Sequence, residues 1–91
     1  MSWKKFEEQS PEMASFGAIR LHDKVAFLAT IKRDGSPRVH PVRPFIGESY
    51  LFIFIEETSP KGHDLRRNGR YALHCSISYT NGPSGEFLVT G

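Results

Sequence analysis

The stretch Val25-Ala26-Phe27-Leu28-Ala29-Thr30-Ile31 is a nearly unbroken apolar run of strand length, the pattern of a strand covered on both faces. It leads into Lys32-Arg33-Asp34-Gly35-Ser36, where Asp-Gly is a hairpin signal because both central residues of the tight turn need positive φ. The returning segment, residues 38–45, carries Pro41 and Pro44. Proline cannot donate to a ladder, so this strand has an exposed edge or leaves its amides free. A hairpin with one open edge, in a chain of 91 residues, admits few architectures. A single domain of this size buries only about 60–65% of its unfolded surface, so a partner subunit or a tightly bound ligand would add needed stability.

The remaining elements are short. Residues 1–9 are polar, with Trp3 and Phe6 interspersed, and read as a loosely held leader. Ser10-Pro11-Glu12 starts a helix, with serine as cap and proline in the first turn. Met13, Phe16 and Ile19 carry it to about residue 23, although Gly17 weakens it. Gly47-Glu48 makes a turn into a third strand over 50–55. Thr58-Ser59-Pro60 repeats the helix-start pattern for a short helix over 61–68, ended by Gly69. A fourth strand over 71–79 alternates Tyr71, Leu73, Cys75 and Ile77 with Ala72, His74, Ser76 and Ser78. A turn over 80–85 and a fifth strand from Glu86 to Thr90 complete the chain. The expected fold is mainly β: an antiparallel, Greek-key-like split barrel with one or two short helices, incomplete because its last strand is followed by nothing.

Composition removes several function classes. Seven Phe and one Trp, within 38% hydrophobic residues, give a core something to bury. Twelve basic against ten acidic residues leave a net charge of +2, too little to advertise nucleic-acid binding. The single cysteine, Cys75, excludes an internal disulfide and every multi-cysteine zinc site. It alternates with His74, so the two point to opposite faces and Cys75 reads as a small buried apolar residue. The four histidines sit on different elements with no i, i+4 pair, and no metal is expected. The longest apolar run, residues 50–55, is far short of the roughly 20 residues that span a bilayer, and the charged start is no secretory signal. A soluble, cytoplasmic protein is expected. No nucleophile elbow, dinucleotide fingerprint or Walker sequence is present.

Two segments could carry chemistry. In Ser59-Pro60-Lys61-Gly62-His63-Asp64-Leu65-Arg66-Arg67 the helix start offers free N–H groups and a partial positive charge. Lys61 lies in the first turn, where a cation opposes the helix dipole, a placement that makes better sense with an anion between them. Taken alone, the segment also fits a solvated capped helix. The other segment is Arg38-Val39-His40-Pro41-Val42-Arg43, whose free backbone groups beside Pro41 could read the edge of a flat heterocycle and whose arginines suit phosphate. It also fits an edge strand with solvated arginines. Residues 32–43 and 61–70 each hold four basic residues and one acidic residue, small patches that match a phosphorylated ligand better than a polynucleotide.

Four blocks then stand in a telling order: Val25-Ala26-Phe27-Leu28-Ala29-Thr30, Asp34-Gly35-Ser36-Pro37-Arg38-Val39-His40-Pro41-Val42, Ser59-Pro60-Lys61-Gly62-His63-Asp64-Leu65-Arg66-Arg67-Asn68 and Gly85-Glu86-Phe87-Leu88-Val89-Thr90-Gly91. Together, over about residues 20–91, they resemble the pyridoxamine 5′-phosphate oxidase-like family, the FMN-binding split β-barrels. The resemblance implies an FMN-binding domain over residues 10–91 whose C-terminal part is missing, in a homodimer with cofactor at the subunit interface. It implies that the backbone of Arg38, Val39, His40, Pro41 and Val42 faces the isoalloxazine ring, that Arg38 and Lys61 bind the phosphate, that Phe54 and Ile55 line the cofactor, and that Ser59 caps the helix beneath the phosphate. Arg43 matches a basic substrate position and is a candidate anion contact. Pro60 stands where the oxidases have a second basic residue, Glu86 where they have a glutamine, and their C-terminal substrate segment is absent. These departures argue against pyridoxamine phosphate oxidation itself.

The expected function is therefore an FMN-dependent oxidoreductase, with no catalytic residue or substrate legible. The alternatives are a reductase using the deazaflavin coenzyme, whose longer acidic tail would need Arg66, Arg67 and Arg70 at the pocket, and a non-catalytic module that binds flavin or haem.

Overall fold

The computed structural model describes residues 2–56, 58–77 and 86–91. The elements are α1 (Trp3–Gln9), α2 (Pro11–Leu21), β1 (Ala26–Ile31), β2 (Pro37–Val42), β3 (Phe45–Gly47), β4 (Tyr50–Phe52), α3 (Pro60–Arg67), β5 (Ala72–Cys75) and β6 (Leu88–Thr90). A four-stranded sheet in the order β2-β1-β5-β6 and a two-stranded hairpin of β3 and β4 are antiparallel throughout. They do not close on each other among the described residues, the open arrangement expected of an incomplete split barrel. Among the described residues the helices number three rather than one or two. No helix among the described residues is long and apolar enough to cross a membrane.

The additional helix is α1, in the segment expected to be a loose leader. The backbone N–H groups of Trp3 and Lys4 donate to the Ser49 carbonyl at 2.9 and 3.1 Å, and Ser2 bridges to Tyr50. The β3–β4 turn thus supplies the acceptor that an isolated helix start lacks. Trp3 is 1% exposed and packs edge-on against Phe6 and beside Phe87. The core these rings cap lies between the four-stranded sheet, the hairpin and the first two helices.

Proline explains the strand ends. Pro37 and Pro41 both sit on β2, which lies at the sheet's edge as Pro41 requires. The strand expected over 38–45 breaks after Val42, and Pro44 is buried at the joint before β3. Two turns differ from expectation. In the β1–β2 loop only Gly35 has positive φ (90°), while Asp34 Oδ1 accepts from the Ser36 amide and hydroxyl. In the β3–β4 turn the residues with positive φ are Glu48 and Ser49, neither of them glycine. β4 ends at Phe52, and the segment through Ile55 continues without strand pairing. The turn over 80–85 and the end of the fourth strand from Ser78 lie outside the described residues.

Gly17 has a packing role. A Cβ there would run into the ring of Phe87, which is boxed by Trp3, Phe6 and Phe16. The glycine that weakens α2 locally is what lets the helix seat on the core.

Alternation on β1 places Ala26, Leu28 and Thr30 inward. The run expected to be covered on both faces is covered on one: on the other, Phe27 is 44% exposed, with Val39 and Leu88 exposed on neighbouring strands. His74 and Leu73 take opposite sides of β5, and Cys75 is buried beside Phe87, as the alternation requires.

Candidate anion site at the start of the third helix

The Ser59-Pro60 pattern builds α3 as expected. Ser59 Oγ accepts from the Gly62 amide at 3.2 Å and donates to the Glu56 carbonyl at 2.8 Å. Its hydroxyl is committed to the cap. Pro60 occupies the first turn, and Arg66 and Arg67 complement the dipole in the last.

One turn into this helix lies a residue to which sequence reasoning assigned no role. Asp64 is 2% exposed, and a carboxylate that deep must be paired and hydrogen-bonded. Thr30 Oγ1 donates to Asp64 Oδ2 at 2.8 Å, Arg38 Nε donates to the same oxygen at 2.7 Å, and Arg67 Nη2 donates to Oδ1 at 2.7 Å. Burial alone would raise this carboxyl, but the hydrogen bonds from Arg38, Thr30 and Arg67 outweigh it and hold the group down to about 2, against an ordinary 3.8. Thr30 faces Arg38 across the β1–β2 register, so the cluster ties two strands to α3. The i, i+3 spacing of Asp64 and Arg67 is the signal that could have disclosed it.

Arg38 is thereby brought to α3. Lys61 stands three residues before Asp64, on the same side of the helix, and makes no ion pair with another described residue. Arg38 and Arg67 pair with the buried carboxylate; counted with Lys61, one turn before it on α3, the three cations leave a net charge of +2. Arg38 is 29% exposed and uses only its Nε on Asp64, which leaves the two terminal nitrogens of its guanidinium without a partner among the described residues. A donor set of this kind, with its one acceptor already taking three hydrogen bonds, suits an anion such as a phosphate.

The other expected contacts distribute unevenly. His40 and Val42 share the inward face of β2 with Arg38, while Val39 and Pro41 are exposed on the opposite face. His40 Nε2 is buried with no hydrogen-bond partner among the described residues. Phe54 is 77% exposed and meets the rings of Phe45 and Phe52 edge to face. Ile55 instead lines an apolar cavity of about 220 Å³ with Leu28, Leu65 and Tyr71. Phe54 and Ile55 therefore serve different surroundings. Arg43 lies beyond the end of β2 and pairs with Asp23 at 3.5 Å, both exposed, so the structure does not join it to Arg38.

The remaining histidines are engaged. His22 Nδ1 accepts from the Ile46 amide, His63 Nδ1 accepts from Arg66, and His74 Nδ1 donates to the Cys75 carbonyl. Among the described residues no three His, Cys, Asp or Glu side chains gather where they could hold a metal ion.

Comparison with solved structures gives two related folds. An F420 reductase superposes with a TM-score of 0.60 at 20% identity, over 70% of this chain and 50% of that one. A conserved hypothetical protein, Rv2991 from Mycobacterium tuberculosis, superposes with a TM-score of 0.71 at 20% identity, over 86% of this chain and 49% of that one. The chain shares their fold. It spans about half the length of each. No protein-family model and no curated protein matches the sequence.

Proposed function

We propose that this chain binds a phosphorylated redox coenzyme of the flavin kind at the Arg38–Lys61 site, with the deazaflavin coenzyme F420 as its occupant and a reductase reaction as its use. The observation that carries the reading is the pinning of Arg38 to α3, the helix that also carries Lys61, a lysine with no ion pair among the described residues. Two points favour the deazaflavin over FMN. One neighbour in fold is an F420 reductase, and Arg66, Arg67 and Arg70 extend the positive charge along and past the end of α3, as a longer acidic tail would need. FMN is the second reading, favoured by the four sequence blocks.

The bound coenzyme supplies two-electron chemistry that no side chain here can supply. The chain's own residues bind and orient. Lys61 and the outer edge of Arg38 would take the phosphate, the edge of β2 from Val39 to Val42 would border the ring, and His40 Nε2 is a buried nitrogen without a partner among the described residues. Ser59 holds the helix start in place.

Titration of the purified chain with F420 and with FMN is expected to quench coenzyme fluorescence to saturation at about one per chain, with F420 the tighter. Lys61→Ala is expected to weaken that binding by about tenfold or more, the loss of one charge-assisted hydrogen bond. Quenching by neither coenzyme removes the reading; unchanged affinity in Lys61→Ala removes the lysine from it.

A homodimer belongs to the same proposal. It is supported by the outer face of the four-stranded sheet, where Phe27, Val39 and Leu88 are 44%, 62% and 57% exposed, an apolar surface that a lone subunit leaves in water. Sedimentation is expected to give two chains per particle, and a monomer carrying coenzyme would contradict the arrangement.

A further inference from the structure

We infer that Asp64 is the positioning residue of the anion site: it holds Arg38 by the Nε edge so that the guanidinium presents its other edge to a phosphate. The inference rests on the coenzyme reading above. A buried carboxylate beside an anion site looks misplaced, since its charge repels the ligand. Its geometry gives it a use. Both oxygens are engaged by Thr30, Arg38 and Arg67, and at 2% exposure the carboxylate is closed to solvent cations.

The bond to Arg38 runs through Nε and not through a terminal nitrogen. That choice orients the guanidinium and leaves Nη1 and Nη2, the pair that makes a two-pronged contact with phosphate, unspent among the described residues. Thr30 makes the carboxylate itself rigid, because its hydroxyl stands on the central strand directly across from Arg38. Arg67 balances the second oxygen from the same helix. Without this anchor Arg38 is a long side chain on an edge strand, with its rotamer freedom to lose on binding. Asp64 touches no ligand; it acts through Arg38.

The test sets two effects of opposite sign against each other. Asp64→Asn removes a negative charge near the site, which by charge alone tightens anion binding. It also replaces one acceptor oxygen with an NH₂ that cannot accept from an arginine, which releases one fork of the cluster. Inorganic phosphate is titrated into the full chain while the arginine Nε–H and lysine signals are followed by ¹⁵N-edited NMR. In the wild type, phosphate is expected to shift Arg38 and Lys61; no shift in either removes the coenzyme reading, and this inference with it. Given a wild-type response, Asp64→Asn is expected to weaken phosphate binding by about tenfold, with backbone signals otherwise preserved. Equal or tighter binding in the variant overturns the positioning role and leaves the coenzyme reading standing. If Asp64→Asn does not fold, hydrogen exchange decides in the wild type: the Arg38 Nε–H is expected to exchange far more slowly than that of exposed Arg33, and equal rates overturn the proposal.

Discussion

Trp3→Ala is expected to lower the unfolding free energy by about 3–5 kcal/mol, the cost of truncating a large buried aromatic to a methyl group. Domains of this kind hold only about 5–15 kcal/mol in total, so the variant should unfold early in urea or fail to fold. Trp3 is 1% exposed, with ring centroids 5.1 Å from Phe6 and 6.2 Å from Phe87. Removing it opens a cavity shared by α1 and the loop-to-strand segment that carries Phe87. It also undocks the helix start, whose amides at Trp3 and Lys4 depend on the Ser49 carbonyl. Trp3→Phe should recover much of the loss. Because Trp3 is the only tryptophan, its emission reports the same event: blue-shifted in the native protein, moving to the red with unfolding. An alanine variant within about 0.5 kcal/mol of the wild type, the range of ordinary surface changes, would show that residues 1–9 are the loose leader their composition suggests.

The difference between leader and helix was not legible because nothing local distinguishes them. Among Trp3-Lys4-Lys5-Phe6-Glu7-Glu8-Gln9 only two residues are apolar, and what anchors them, Ser49 and Phe87, lies far along the chain. Patterns that act within a few residues were legible: Ser10-Pro11 and Ser59-Pro60 as helix starts, Pro41 as the mark of an edge strand, the inward alternation of Leu73 and Cys75. The turn at Glu48-Ser49 was not, since neither residue advertises positive φ. The candidate site divides in the same way. Arg38 and Lys61 stand out in the sequence as cations in a suggestive context. Asp64 merely subtracts one charge from a basic patch until the β1–β2 register sets Thr30 across from Arg38 and α3 delivers the carboxylate between them.

That carboxylate gives the fold a dependence on acid whose sign is fixed. Burial would raise Asp64, but hydrogen bonds from Arg38, Thr30 and Arg67 hold it down to about 2, below the 3.8 of an unconstrained aspartate. The unfolded chain therefore takes up the proton first. The stabilisation is fully present above about pH 4 and is lost as the pH falls from there towards about 2. Asp34 is shifted in the same direction by its hydrogen bonds to the Ser36 side chain and backbone, but it is exposed and screened by solvent. Urea midpoints measured from pH 6 down to about pH 2 should fall more steeply in the wild type than in Asp64→Asn, while Asp34→Asn should follow the wild type closely. Parallel curves for wild type and Asp64→Asn would mean that the three donors do not favour the charged carboxylate over the neutral one. Protonation of Asp64 also removes the charge that holds Arg38 by its Nε edge, so the acid limb of stability and the order of the anion site have a common origin.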